Sequence, residues 1–237
     1  AETSVPHPFA NRELTPAERK VRRLEKEIHW ERINGETPVS KLVELAEACR
    51  DAGDHRRAAE VLEQLQMMDA NLERETSIAY NYERAGRDDL ALKWAKKAYE
   101  RNKSPLTARN VAVTAWNQDR DRETYVEYLE KALELDKSHV PSLMSLGTHL
   151  RRRDEKRSRE LIERAFDILQ EKHKHTLRLD DDELRRLKQA AEILGHDDVV
   201  EEIKNELQDS ESAPPGYDKD HLVIRTSPDA LPSEEDD

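Results

Sequence analysis

Residues 39–72 read VSKLVELAEACRDAGDHRRAAEVLEQLQMMDANL and contain two amphipathic segments on either side of Gly53 and Asp54. In each segment small and apolar residues recur every three or four positions, which predicts two helices that each bury one face. These residues are Leu42, Leu45, Ala46 and Cys49 before the turn, and Ala58, Ala59, Leu62 and Leu65 after it. The stretch is therefore predicted to fold as a helical hairpin.

The same layout returns further along the chain, and the turn residues Gly53 and Gly86 are 33 positions apart (86 − 53 = 33). The later copies occupy residues 72–105, 106–139 and 140–175. After them, Asp180 and Glu183 fit a capping box at the start of a further helix, and Gly195 fits its end. A period of this size is typical of arrays of stacked helix pairs, so the fold class is predicted to be all-α.

The small residues of these copies resemble those of the tetratricopeptide repeat (TPR) family, which has a period of about 34 residues. The matching positions are Ala46, Ala79 and Gly147 on the first helices, and Ala58, Leu65, Ala91, Ala98, Ala132 and Ala165 on the second helices. The resemblance covers residues 39–207 and implies a right-handed α-solenoid of about four to five TPR-like hairpins. Arg120 and Asp154 depart from the family's turn glycine, and Tyr125 departs from a small alanine.

Four segments are predicted along the chain: a flexible lead (1–14), a capping helix (15–35), the TPR-like solenoid (39–208) and an acidic disordered tail (209–237). Thr15 and Pro16 favour a helix start. The apolar residues of this first helix are Val21, Leu24, Ile28 and Trp30. We interpret the helix as a cover for the open end of the solenoid, and a coiled coil that joins copies into a homo-oligomer is the alternative.

Composition restricts the class of partner. The chain has 237 residues and a formal net charge of −12, which argues against nucleic-acid binding because phosphate backbones attract basic proteins. No apolar run is long enough to span a bilayer, so membrane insertion is not expected. Cys49 is the single cysteine, which excludes an internal disulfide and favours a reducing compartment, the cytoplasm.

No catalytic signature occurs in the sequence, and we predict a protein that is not an enzyme and uses no cofactor. His173 and His175 lie close in sequence to residues 180–182, which are all aspartate. These residues form either a metal site or a solvated turn between helices. The turn is preferred because a transition-metal site needs three or four ligands in defined geometry. No metal is assigned.

The resemblance implies that the first helix of each hairpin lines a concave surface that binds a protein or peptide partner. The helical register predicts that this surface includes Glu47, Arg50, Thr76, Tyr80, Arg84, Asn110, Thr114, Asn117, Gln118, Met144, Arg151 and Arg152. Some family members bind acidic chaperone tails through a clamp of lysines, asparagines and an arginine. The matching positions here carry Val43, Glu47, Ser77, Thr107 and Val111, so that clamp is not expected.

Two segments outside this surface have open interpretations. In the tail, Leu222, Val223 and Ile224 form an apolar cluster that is either a short docking motif or a stray cluster. The basic run at 151–159 is either a solvated turn or an attractive surface for an acidic ligand, including the chain's own SEEDD segment at 233–237.

The sequence thus predicts a protein-interaction adaptor or scaffold, in the manner of a co-chaperone or assembly factor. A regulatory or targeting module of a larger protein or enzyme complex is the alternative.

Overall fold

The computed structural model describes residues 13–71, 73–175 and 179–211, with the side chains of 209–211 excepted. The helices are α1 (Pro16–Ile33), α2 (Val39–Asp51), α3 (His55–Met68), α4 (Glu75–Arg84), α5 (Asp88–Arg101), α6 (Pro105–Asp119), α7 (Arg122–Leu135), α8 (Val140–Leu150), α9 (Glu155–Lys174), α10 (Asp181–Leu194) and α11 (Asp197–Glu211). No strand occurs in the described ranges. The predicted all-α architecture of successive hairpins is confirmed.

The chain divides into two compact units, the first ending at Trp94 and the second beginning at Ala95, within α5. Unit 1 holds α1, the hairpin α2–α3, and α4 with the start of α5. Unit 2 holds the end of α5 and the hairpins α6–α7, α8–α9 and α10–α11. We call α2, α4, α6, α8 and α10 the first helices, and α3, α5, α7, α9 and α11 the second helices.

Helix α1 begins as its sequence predicts. The hydroxyl of Thr15 accepts from the backbone N–H of Glu18, whose carboxylate accepts from the N–H of Thr15, so two otherwise unpaired donors are satisfied. Leu24 and Ile28 are buried. Trp30 was expected on the apolar face, and this is wrong: its side chain is 65% exposed because it projects away from the residues that pack on α2.

The core of unit 1 consists of two clusters of mostly small and medium-sized side chains. One joins α1, α2 and α3 around Leu42, Ala46 and Cys49. The other joins α3, α4 and α5 around Ile78 and Ala91. Cys49 is fully buried, and burial raises its thiol pKa to about 11, so the sulfur packs as a small apolar group.

Unit 2 has one larger cluster that runs through α6 to α11 and includes Leu129, Leu143, Ile162 and Leu187. Gly147 lets two helices approach closely, because a Cβ built there would lie 2.7 Å from Cγ1 of Ile162. The hydroxyl of Ser158 donates to the carbonyl of Gly147 at 2.7 Å and fixes this contact. Glycine is therefore required by packing at this position.

Two turns of unit 2 lack the glycine that unit 1 uses. In unit 1, Gly53 and Gly86 have positive φ, as expected for residues that follow a helix end. In unit 2, Arg120 takes the left-handed conformation with φ 53°, although a Cβ makes it unfavourable. Asp154 caps α9 by accepting from the N–H of Arg157, as Asp54 caps α3 in unit 1.

The end of the described chain agrees in part with its predicted boundaries. The capping box of Asp180 and Glu183 and the left-handed Gly195 are confirmed at α10. The last helix continues to Glu211, beyond the predicted boundary at 208. The lead before 13, most of the predicted tail, and the cluster of Leu222, Val223 and Ile224 lie outside the described residues.

Candidate functional site

The predicted partner-binding residues of unit 1 lie on α2 and α4 and reach the surface. Glu47 and Arg84 are exposed, and Arg50, Thr76 and Tyr80 are partly buried. They alternate with the core residues of the same helices, so an amphipathic helix presents them opposite its packed face. In unit 1 all five side chains are at least partly accessible, and their role in binding remains a prediction.

Tyr80 is held in place from the neighbouring hairpin. Its ring lies edge-on to the ring of His55, the first residue of α3, with centroids 6.4 Å apart. Nδ1 of His55 is 3.3 Å from Oδ1 of Asn81, whose amide donates to the carbonyl of Ser77. Contacts with residues of both α3 and α4 thus fix the orientation of the Tyr80 ring.

Unit 2 corrects the prediction for three residues. Asn110, Thr114 and Met144 were expected to be exposed, but they are 6%, 1% and 0% exposed. Helix α6 is buried from Thr107 to Ala115, so no polar stripe of it faces solvent there. The hydroxyl of Thr114 therefore donates to the carbonyl of Asn110 at 2.9 Å.

Met144 is buried because α8 is apolar over most of its circumference and packs on both α7 and α9. The accessible part of the predicted surface in unit 2 is smaller. It consists of the partly buried Asn117 and Gln118 at the end of α6 and the exposed Arg151 and Arg152 after α8. Arg151, Arg152, Arg153 and Lys156 form no ion pair among the described residues, whereas Arg157 and Arg159 pair with Glu130 and Glu163.

A cluster of polar side chains, which the sequence analysis missed, lies at the start of α8. Nδ1 of His139 lies 2.8 Å from the hydroxyl of Ser142. Burial, with the nearby charges of Arg109 and Arg186, lowers the pKa of His139 to about 4, so the ring is neutral at pH 7. The sequence carried only a weak signal, the small polar residues Ser142 and Ser145 three positions apart in an otherwise apolar helix.

Several buried polar atoms on the first helices have no hydrogen-bond partner. They are Oγ of Ser145 and Oγ1 of Thr148 on α8, Nε of Arg186 on α10, and Nη1 of Arg74 at the start of α4. No second helix carries such an atom in the described ranges. Buried polar atoms are normally paired, so these four are exceptions, and all of them lie on or at the start of first helices.

An aromatic cluster closes the other end of α8. The ring of His149 contacts those of Trp116 and Tyr125, with centroid distances of 5.5 and 5.2 Å, and these two rings also contact each other at 5.2 Å. The guanidinium of Arg120 is 5.3 Å from the centroid of the Trp116 ring. Burial, then Arg153 and Arg122, lowers the pKa of His149. These contacts stabilise the turn between α6 and α7.

The described residues contain neither a candidate metal site nor a candidate membrane-spanning helix. Within the described residues no group of three or more His, Cys, Asp or Glu is arranged to hold a metal ion. Nε2 of His173 instead contacts Glu206 at 2.9 Å, and Nε2 of His175 contacts Glu171 at 3.0 Å. None of the helices in the described ranges combines the length and apolar character needed to cross a bilayer.

Comparison with known proteins was informative only at the level of structure. No family model and no curated protein matches the sequence. The crystal structure of BtubC (BKLC) from P. vanneervenii is similar with 19% identity and a TM-score of 0.56, covering 87% of this chain and 94% of that chain.

MamA is similar in two further structures. The "MamA RS-1 ArsTM double mutant" gives 18% identity and a TM-score of 0.53, covering 66% of this chain and 86% of that chain. "MamA 41-end" from Desulfovibrio magneticus RS-1 gives 18% identity and a TM-score of 0.50, covering 65% of this chain and 92% of that chain. At this low identity the likeness concerns the fold alone. Together with the repeating hairpins described above, it shows that this chain has a TPR-like repeat fold.

Proposed function

We propose that this protein is an interaction adaptor that binds an extended segment of a protein partner on its first helices. The observation that carries the proposal is that the first helices of unit 1 present the accessible polar and aromatic side chains of Glu47, Tyr80 and Arg84. A peptide backbone supplies both donors and acceptors, so it can pair with such side chains without requiring a particular sequence.

The surrounding side chains fit a peptide of mixed character. In unit 1, α4 carries the ring of Tyr80 and, one turn later, the exposed guanidinium of Arg84, and α2 carries the exposed carboxylate of Glu47. In unit 2, the hydroxyl of Thr148 is followed by the exposed Arg151 and Arg152. Aromatic and arginine side chains are enriched among residues that dominate binding energy at protein interfaces.

The test is selection of peptides from a random display library on the intact chain, followed by calorimetric titration of a selected peptide. Two variants examine the units separately: Tyr80→Ala with Arg84→Ala in unit 1, and Gln118→Ala with Thr148→Val in unit 2. We expect at least one of them to weaken binding by about tenfold or more, the loss typical of an interface residue that matters.

The matched control changes exposed residues of second helices, Lys93→Ala with Glu160→Ala, and should leave the affinity unchanged. Equal binding by both first-helix variants and the control contradicts the proposal. A co-chaperone or assembly role in the cytoplasm is a narrower form of the adaptor proposal. Selected peptides that match chaperone tails or subunit segments would support that narrower role.

A further inference from the structure

Parallel contacts between neighbouring second helices recur in both units. In unit 1, Arg57 Nη2 contacts Glu25 Oε1 at 3.3 Å, and Arg32 Nη2 donates to Gln64 Oε1 at 3.1 Å, so α1 runs alongside α3 in the same direction. In this respect α1 behaves as a second helix that precedes the first hairpin.

Unit 2 repeats the pattern. Arg157 Nη2 contacts Glu130 Oε1 at 2.8 Å, and Arg164 Nη2 donates to the carbonyl of Lys137 at 2.6 Å, which sets α7 parallel to α9. Between α9 and α11, His173 Nε2 contacts Glu206 Oε2 at 2.9 Å. The recurring contact thus joins a nitrogen atom of an Arg or His side chain on one helix to an oxygen atom on the neighbouring helix.

Helix α1 also has a basic face, on which no second helix packs within the part of the chain that the structure describes. Arg19, Arg23, Lys26 and Trp30 are all exposed and follow one another at the three- and four-residue spacing of a single helix face. This face lies away from Leu24 and Ile28, which pack toward α2. Lys26 forms no ion pair among the described residues, and Arg23 has only a loose contact with Glu27 at 3.7 Å.

At the C-terminal end of α1, the basic face is continued by exposed apolar side chains. Trp30 and Ile33 are 65% and 60% exposed, although both are large hydrophobic side chains. Large aromatic side chains next to arginines are common anchors at protein interfaces. In a protein with a formal net charge of −12, this combination points to a surface that is covered by an acidic partner.

Helix α11 presents the complementary charge. Asp197, Asp198, Glu201 and Glu202 are exposed, while Val200 and Ile203 are buried against unit 2. The only basic residue of this helix is Lys204, which contacts Glu201 at 2.6 Å. These acidic residues are one, three and one positions apart, so they share one side of α11, and a parallel helix with basic residues on its facing side would bring several opposite charges together.

We propose that copies of this protein associate head to tail, with the acidic face of α11 in one copy packed against the basic face of α1 in the next. The contact repeats between copies the parallel pairing seen between neighbouring second helices within each unit. Ion pairs of Arg23 and Lys26 with Glu201 and Glu202 steer and orient the helices, and burial of Trp30 adds apolar contact. This inference is independent of peptide binding on the first helices.

A head-to-tail contact makes a distinctive prediction about assembly size. Each copy that uses its α1 face keeps a free α11 face, so association continues beyond a dimer unless the geometry closes a ring. Exposed ion pairs are individually weak, so the assembly should depend strongly on concentration and salt. A symmetric dimer through α1 would instead place basic faces together and would be favoured by salt.

The first experiment is sedimentation velocity of the full chain over a concentration series, at about 0.05 M and about 1 M salt, where the Debye length falls to about 3 Å. We expect species larger than a dimer at low salt and monomer at high salt. A monomer at every concentration in low salt overturns the proposal, as does a dimer that salt does not weaken.

Charge reversal then identifies the faces. Arg23→Glu with Lys26→Glu should abolish association, and so should Glu201→Lys with Glu202→Lys. A mixture of these two variants should associate again, because the intact acidic α11 face of the first variant can pack on the intact basic α1 face of the second, and their two altered faces are also of opposite charge. No association of the mixture overturns the proposal.

Two additional variants separate this contact from general charge effects. The variant with both faces reversed should again associate with itself, and circular dichroism should confirm its helix content. The matched control Lys93→Glu with Lys103→Glu changes the net charge equally on exposed sites and should associate like the unaltered protein. Trp30→Ser should weaken association by about tenfold without changing any charge.

The remaining outcomes identify other occupants of the α1 face. If reversal at α1 abolishes association and reversal at α11 does not, α1 binds a different surface and the proposal is wrong. The same conclusion follows if the protein stays monomeric but binds anionic phosphatidylserine vesicles through α1. Removal of residues 212–237 should leave association unchanged, and its loss would assign the basic face to that segment instead.

Discussion

Units 1 and 2 build the same helical hairpin from different residues. Unit 1 uses glycine at its turns and alanine at its helix contacts, and its predicted binding residues reach the surface. Unit 2 uses Arg120 and Asp154 at its first two hairpin turns and glycine only at the third, packs larger side chains in one cluster, and buries polar residues of α6 and α8. The hairpin is therefore specified by close packing and capping together, and either set of turn residues suffices.

The largest expected difference between the units is at their closest helix contacts. Gly147→Val should lower the free energy of unfolding by about 3 kcal/mol, because the new side chain collides with Ile162 and the backbone at Ser158. The matching change in unit 1, Ala46→Gly, should cost about 1 kcal/mol through helix propensity. Urea unfolding followed by circular dichroism measures both. A Gly147→Val protein as stable as the original would show that the contact is loose.

The second prediction concerns the neutral His139 of unit 2. Its pKa is lowered to about 4 in the folded protein, so between about pH 4 and its ordinary value near 6.5 the unfolded chain binds more protons. Stability should fall as the pH is lowered through this window, by roughly 1–2 kcal/mol after screening. His139→Gln should show a smaller loss between pH 7 and pH 4.5 in parallel urea titrations. An unchanged pH dependence would mean that His139 does not titrate as described.

The third prediction exchanges the turn residues of the two units. Arg120→Gly should stabilise the protein by about 1 kcal/mol, because glycine adopts a positive φ without strain. Arg120→Ala is the control, since it also loses the contact with Trp116 but keeps the Cβ. In unit 1, Gly86→Ala should destabilise by about 1 kcal/mol. Thermal unfolding midpoints in the opposite order would contradict this explanation of the turns.

The smallest effect is expected for the ion pairs between neighbouring second helices. A double-mutant cycle on Glu130 and Arg157 in unit 2 should give a coupling below about 1 kcal/mol, as should one on Glu25 and Arg57 in unit 1. All four side chains are substantially exposed, so water competes with each pair. A larger coupling in either unit would mean that these pairs contribute substantially to stability, beyond orienting the helices.

The sequence predicted those features that depend on local signals. The caps at Thr15 and Asp180, the turn at Gly53, the helix end at Gly195 and the buried Cys49 all follow from residue type and helical spacing. The candidate site was predicted only where one helix face is free. Asn110, Thr114 and Met144 were misplaced because burial depends on how many neighbours a helix has, which periodicity within the helix does not reveal.

The environment of Cys49 has a consequence for following the folding of unit 1. It is the only cysteine in the chain, its side chain is fully covered, and its thiol pKa is about 11. An aromatic disulfide reagent at neutral pH should therefore react only when the α2–α3 hairpin opens. The labelling rate of Cys49 therefore reports how often the α2–α3 hairpin opens, without any introduced probe.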